Sequence, residues 1–129
     1  MLITETNVPD AALPVAALKA HLRMGTGFDT DSLQDAVLVS FLRAAMAAIE
    51  ARTGKVLLER EFTLSVHALR NASALPLTVA PVTAIADVQL ATRSGAETSV
   101  NASVYWLERD AQTPRLRATA ACLPGPETG

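Results

Sequence analysis

The sequence predicts an α+β fold: two N-terminal helices, the first short and the second long, followed by a small antiparallel sheet of about five strands. Three observations carry this. Apolar residues recur at helical spacing only before Gly54. From Phe62 onward they alternate with polar residues instead, as on half-buried strands. Short clusters such as Asn71-Ala72-Ser73, Ser94-Gly95 and Asp110–Pro114 separate the alternating runs, and helices segregated from strands in this way mark α+β. A chain of 129 residues suits one domain. It reads as an extended lead-in over 1–14, a helical part over 15–54, a strand part over 55–121, and a linker or cut end over 122–129.

The lead-in is punctuated by Pro9 and Pro14. A short helix is expected over 15–23, since Pro14 suits a first turn, Leu18 and Leu22 lie one turn apart, and Gly25 and Gly27 end it. The second helix has the strongest signals. Asp31 is placed to cap it, with Gln34 three residues on as in a capping box and Asp35 complementing the positive end of the dipole. Leu33, Val37, Phe41, Ala44 and Ala48 form one stripe at helical spacing, and Leu38, Leu42, Ala45 and Ile49 form another, so the apolar surface is wide. Ala-Ala-Met-Ala-Ala over 44–48 favours helix and gives a thin surface that a neighbour can approach closely. Gly54 follows Arg52 in the last turn and fits the position just past a helix end.

Phe62, Leu64 and Val66 form the first expected strand. Leu75, Leu77 and Val79 form the second, ended by Pro81. Val82, Ile85 and Val88 step by three, which predicts a bulge or twist before the pair Val88 and Leu90. After Ser94-Gly95, the residues Val100, Ala102, Val104 and Trp106 alternate as one strand, and Leu116, Ala118 and Ala120 as another.

Half of the residues are hydrophobic but only 4% are aromatic. The expected core is therefore Ala, Val and Leu, with Tyr105, Trp106, Phe28, Phe41 and Phe62 as its large pieces. A formal net charge of -2 gives no basic face for sequence-specific DNA binding. It leaves room for a channel through which DNA passes unheld. The single cysteine, Cys122, rules out an intrachain disulfide. The N-terminus, with Glu5 and Asp10, does not read as a signal peptide. Arg43 and Glu50 interrupt the best apolar run, so no membrane span is expected.

The residues offer no catalytic site. His21 and His67 have no carboxylate or cysteine at metal-ligand spacing. No nucleophile elbow is present, and Gly25-Thr26-Gly27 lacks the strand and third glycine of a phosphate loop. Glu59 and Glu61 flank Arg60 and read as a solvated face rather than an acid/base pair. Arg115 and Arg117 share one strand face, where solvent is the plain reading and an acidic partner or DNA phosphate the sharper one. Trp106, in phase with Val100 and Val104, reads as core. Neither a cofactor nor a metal is expected.

Several segments, in order, resemble a known family. These are Leu18–Arg23, Ala44-Ala45 through Ile49-Glu50, Thr53–Leu57, Leu75-Pro76-Leu77, Pro81-Val82 with Ile85 and Val88, and Tyr105 near the end of the fourth strand. Over residues 15–120 they resemble the head–tail connector (adaptor) proteins of long-tailed bacteriophages and gene transfer agents. The resemblance implies a structural subunit with no catalytic residues. Such subunits form a ring, of twelve in the family, beneath the portal protein at the head–tail junction of a particle assembled in the bacterial cytoplasm. DNA passes through the ring, and a stopper or tail-completion protein binds its far side. Family members continue with a further strand, turn and portal-docking helix, so no docking residues are assigned here and partner-binding positions are unknown. The alternative is a small α+β protein-binding module unrelated to phages.

Overall fold

The computed structural model describes residues 1–22 and 32–125. The expected Asp31 cap, the helix-ending Gly25 and Gly27, Phe28 and the tail beyond Gly125 lie outside them. The α+β class is observed. Two α-helices, α1 (Val15–His21) and α2 (Ser32–Thr53), precede most of the strands. The strands are β1 (Leu2–Glu5), β2 (Phe62–Ser65), β3 (Ala74–Pro76), β4 (Gln89–Ala91), β5 (Glu97–Ser99), β6 (Tyr105–Glu108) and β7 (Arg115–Ala118). They lie in three small sheets with orders β1-β2, β3-β7-β6 and β4-β5, rather than in one sheet of about five.

The contacts divide the chain into two compact units. The helical unit comprises Glu5–Thr53 and Leu57–Glu61; the strand unit holds Met1–Thr4, Gly54–Val56 and the residues from Phe62 onward.

In the helical unit, α2 ends where its sequence says it should. Gly54 has φ +67°, the left-handed conformation that glycine adopts without steric cost. The Thr53 hydroxyl donates to the Ile49 carbonyl one turn back at 2.7 Å, a local back-bond that threonine makes to the helix backbone. The lead-in is more structured than expected. Asp10–Ala12 form a 3-10 turn, and Val8 and Leu13 are buried. On α2, Leu38 is buried while Val39, Leu42, Arg43, Met46 and Glu50 are half-buried. This spacing of three and four residues defines one inward stripe.

In the strand unit, β1 pairs with β2, so the expected lead-in supplies a strand. The alternation over 62–65 and 74–79 appears as expected, with Phe62, Leu64, Leu75, Leu77 and Val79 half-buried. Residues 81–88 carry no strand, and the three-residue step of Val82, Ile85 and Val88 belongs to this irregular stretch. The β4-β5 hairpin closes over Thr92–Ala96: Thr92 N–H donates to the Ala96 carbonyl at 2.8 Å and Gly95 N–H to the Thr92 carbonyl at 3.0 Å. Gly95 has φ +88°, as the last residue of such a loop requires.

One expected strand is broken. The run Val100–Trp106 does not form a single strand, because Asn101 accepts a hydrogen bond from Ser103 N–H and caps a 3-10 turn over Ala102–Val104. A side-chain oxygen that offers the backbone a local partner competes with the ladder. The turn resets the phase: Tyr105 and Leu107 become half-buried and Trp106 turns outward at 49% exposure. Tyr105 therefore opens β6 instead of lying near a strand's end, and Trp106 is not a core residue. The inner row of the three-stranded sheet is Leu75–Leu116–Leu107.

The buried hydrophobic residues are Val8, Leu13, Leu38, Ala74, Ala80, Leu116 and Leu123, the Ala, Val and Leu composition that the sequence predicts. Among the described residues the large aromatics do not join them: Phe62 and Tyr105 are half-buried, and Phe41 is 64% exposed.

Candidate functional site

The lone charges of α2 explain which of its faces is turned inward. A charge inside an apolar helix needs a partner, because burying it alone is costly. Arg43 finds three: its guanidinium donates to the Asn7 Oδ1 at 3.2 Å, to the Val8 carbonyl at 2.6 Å and to the Asp10 carboxylate. Asp35 pairs with Lys19 of α1 at 2.5 Å. Glu50 receives two bonds from Arg60, at 3.0 and 2.8 Å, and one from the Leu57 N–H at 2.9 Å. Arg60 also donates twice to Glu5, at 3.1 and 2.9 Å. The Arg60 side chain is only 11% exposed and that of Glu50 18%. The Arg60 hydrogen bonds hold the Glu50 carboxyl below its ordinary range, against the opposing effect of burial. The same bonds push the guanidinium pKa upward.

The opposite face of α2 carries no charge between Val37 and Ile49. Val37 is 53% exposed, Phe41 64% and Ile49 46%, and Ala44, Ala45 and Ala48 between them are exposed too. The two apolar stripes read from the sequence thus part only in their N-terminal halves. Leu38 is buried and Leu42 half-buried, whereas Ala45 and Ile49 of the same stripe are exposed and join the outward stripe of Val37, Phe41, Ala44 and Ala48.

The outer face of the three-stranded sheet is polar. Trp106 stands opposite Arg117, and Glu108 opposite Arg115. Arg117 donates to Glu108 at 2.8 and 3.2 Å, which lowers the Glu108 pKa and raises that of Arg117. The expected shared face of Arg115 and Arg117 is therefore real, but Arg117 is already engaged by a carboxylate. At the β6-β7 turn, the Asp110 carboxylate accepts from the N–H groups of Gln112 and Thr113, both at 2.7 Å.

The candidate chemical groups do not converge. His21, His67, Glu59, Glu61 and Cys122 are all exposed. Among the described residues no His, Cys, Asp and Glu cluster could hold a metal, and no helix is long and apolar enough to cross a membrane. An open groove is lined by Pro81, Val82, Thr83, Arg109, Asp110 and Ala111.

No protein-family model matches the chain, and no curated protein does. Solved structures do match. A chain from the neck of an empty gene transfer agent particle, computed with C6 symmetry, is 45% identical with a TM-score of 0.91. A chain from the virion of a native gene transfer agent particle is 45% identical with a TM-score of 0.88. The chain belongs with the gene transfer agent neck proteins. A third match, from the neck of a native particle computed with C12 symmetry, is 41% identical with a TM-score of 0.86. All three cover 100% of this chain, which spans 66%, 66% and 64% of theirs. The resemblance to head–tail connector proteins, read from ordered weak motifs, is borne out. Val37, Phe41 and Ile49 give α2 an exposed apolar face among the described residues.

Proposed function

We propose that this chain is part of a structural head–tail connector (adaptor) subunit, repeated around a ring beneath the portal. The observation that carries this reading is full-length similarity, at 41–45% identity, to chains in gene transfer agent necks. Their C6 and C12 symmetries support a ring, because a head-to-tail contact closes into one when its rotation closes. DNA passes through the ring, and a stopper or tail-completion protein seats on its far side. A net charge of -2 suits a passage that DNA crosses without being held. Residues 1–129 act as one adaptor-like domain in this reading. Its work is assembly rather than catalysis, which fits relatives that are particle components and exposed, scattered histidine and cysteine side chains.

The test is electron microscopy of the full-length native protein mixed with purified portal. Rings seated on portal are expected. A full-length protein that remains monomeric and ignores portal overturns the reading.

A further inference from the structure

We propose that the bare face of α2, centred on Phe41, is the surface through which one copy of this chain packs against a second copy in the neck ring. The inference rests on the ring reading and assigns it a surface.

Three observations converge on a second copy as the occupant. The first is chemical. From Val37 to Ile49 the helix carries a single charge, Arg43, and that side chain is turned to Asp10, Asn7 and Val8. Charge depletion with an aromatic at the centre is the composition of an interface core. The second is geometric. Val37, Phe41, Ala44, Ala48 and the flanking Ala45 and Ile49 run for about 18 Å along the axis at 1.5 Å per residue. The alanines keep the surface low on the C-terminal side of Phe41, so another element can approach the backbone closely there while the phenylalanine ring fills a pocket on it. The third is the setting. Chains 41% and 45% identical to this one are found in necks of C12 and C6 symmetry, where copies repeat about an axis. A ring contact is heterologous: each subunit offers one surface to the neighbour on one side and a different surface to the other. The α2 face is then one half of the contact, and it need not meet its own equivalent.

The inward stripe gives the internal control. Leu38, Leu42 and Met46 are already covered within the chain, so substitutions there disturb the fold, whereas Phe41 contributes little to it.

The experiment places a photo-reactive phenylalanine analogue at position 41 of the full-length protein, and in a second sample at position 49. Each is assembled into necks, irradiated, and resolved by denaturing electrophoresis and mass spectrometry. The expected product joins two copies of this chain and forms only in assembled necks. Rings visible by microscopy whose position-41 and position-49 products join the probe to a different neck protein, or to another segment of the same chain, overturn the inference while leaving the ring reading intact. Rings with no product at either position do the same. Absence of rings in the unsubstituted protein sinks the ring reading itself, and this inference with it. A Phe41→Asp variant supplies the second readout. It is expected to keep the far-ultraviolet circular dichroism of the parent and to lower ring yield at least tenfold. A Phe41→Asp variant that forms rings in parental yield overturns the proposal.

Discussion

The two faces of α2 are built by opposite rules. On one, every charge is tied to the rest of the helical unit: Asp35 to Lys19, Arg43 to Asp10, Glu50 to Arg60. On the other, Val37, Phe41, Ala44, Ala45, Ala48 and Ile49 are exposed beside Ser40, and no charge between Val37 and Ile49 is turned outward. A helix that is apolar all round belongs inside something. Here half of it is inside its own unit, and the remaining half has the character of a surface awaiting a neighbour. The difference teaches that polar residues, not apolar ones, identify the inward face. The apolar content of the two stripes is nearly equal, and the fixed charges decide between them.

Substitutions that strike one face and spare the other sharpen this contrast. Leu38→Ala should show the largest effect, a loss of about 3 kcal/mol in urea unfolding, because it leaves a cavity beneath α2. A loss under about 1 kcal/mol would mean that the inward face is not where the packing lies. Arg60→Ala comes next, at about 2 kcal/mol, since it strips Glu50 and Glu5 of a nearly buried partner. The same pair sets an acid limit. The Glu50 carboxyl titrates below its ordinary value of 4.5, so its ion pair contributes fully above that pH and loses its contribution as pH falls through the lower folded value. Parent and Arg60→Ala melting temperatures should therefore converge in acid and differ most near neutrality. A gap that stays constant from pH 7 to pH 3 would count against the pairing. Gly54→Val should cost about 1 kcal/mol or more. An added Cβ meets no atom within 4 Å, so the cost is conformational and arises from the positive φ. An unchanged melting temperature would break the assignment of this helix end. Phe41→Ser should be the mildest, within about 0.5 kcal/mol, as for a surface substitution away from packed atoms. A loss as large as that of Leu38→Ala would erase the distinction between the faces.

The helical half was the more legible. The end of α2 at Thr53-Gly54 was readable because a glycine after a basic last turn has a local backbone cause. The turns at Asn71–Ser73, Ser94-Gly95 and Asp110–Pro114 were readable for the same reason. In each, a side chain or a glycine acts on its own neighbours; Ser73 N–H, for example, donates to Asn71 Oδ1 at 2.9 Å. The break at Asn101 uses that same chemistry, and the alternation of Val100, Ala102 and Val104 masked it. Period-two patterning does not register a short turn that preserves spacing while shifting the face, so the pattern points Trp106 inward although it is exposed. The clamp of Arg60 on Glu50 and Glu5 had no local signal at all, since Glu5 lies 55 residues away. One hint was available: Arg43 and Glu50, seven residues apart on the inner side of an apolar helix, each needed a partner from elsewhere. The candidate surface was half legible. The sequence marked a wide apolar helix and an alanine-lined patch, but only the positions of the paired charges separate what is covered from what is bare.

The pairing of Glu5 with Arg60, and of Thr6 N–H with the Glu61 carbonyl at 3.0 Å, also has a consequence in time. A ribosome adding roughly 5–20 residues per second releases the first strand about 3–11 s before the residues that clamp it have been made. During that interval β1 is an unpaired edge bearing Leu2 and Ile3, which stay substantially exposed even in the folded chain. Whatever meets the nascent chain in those seconds competes with β2 for the same backbone groups.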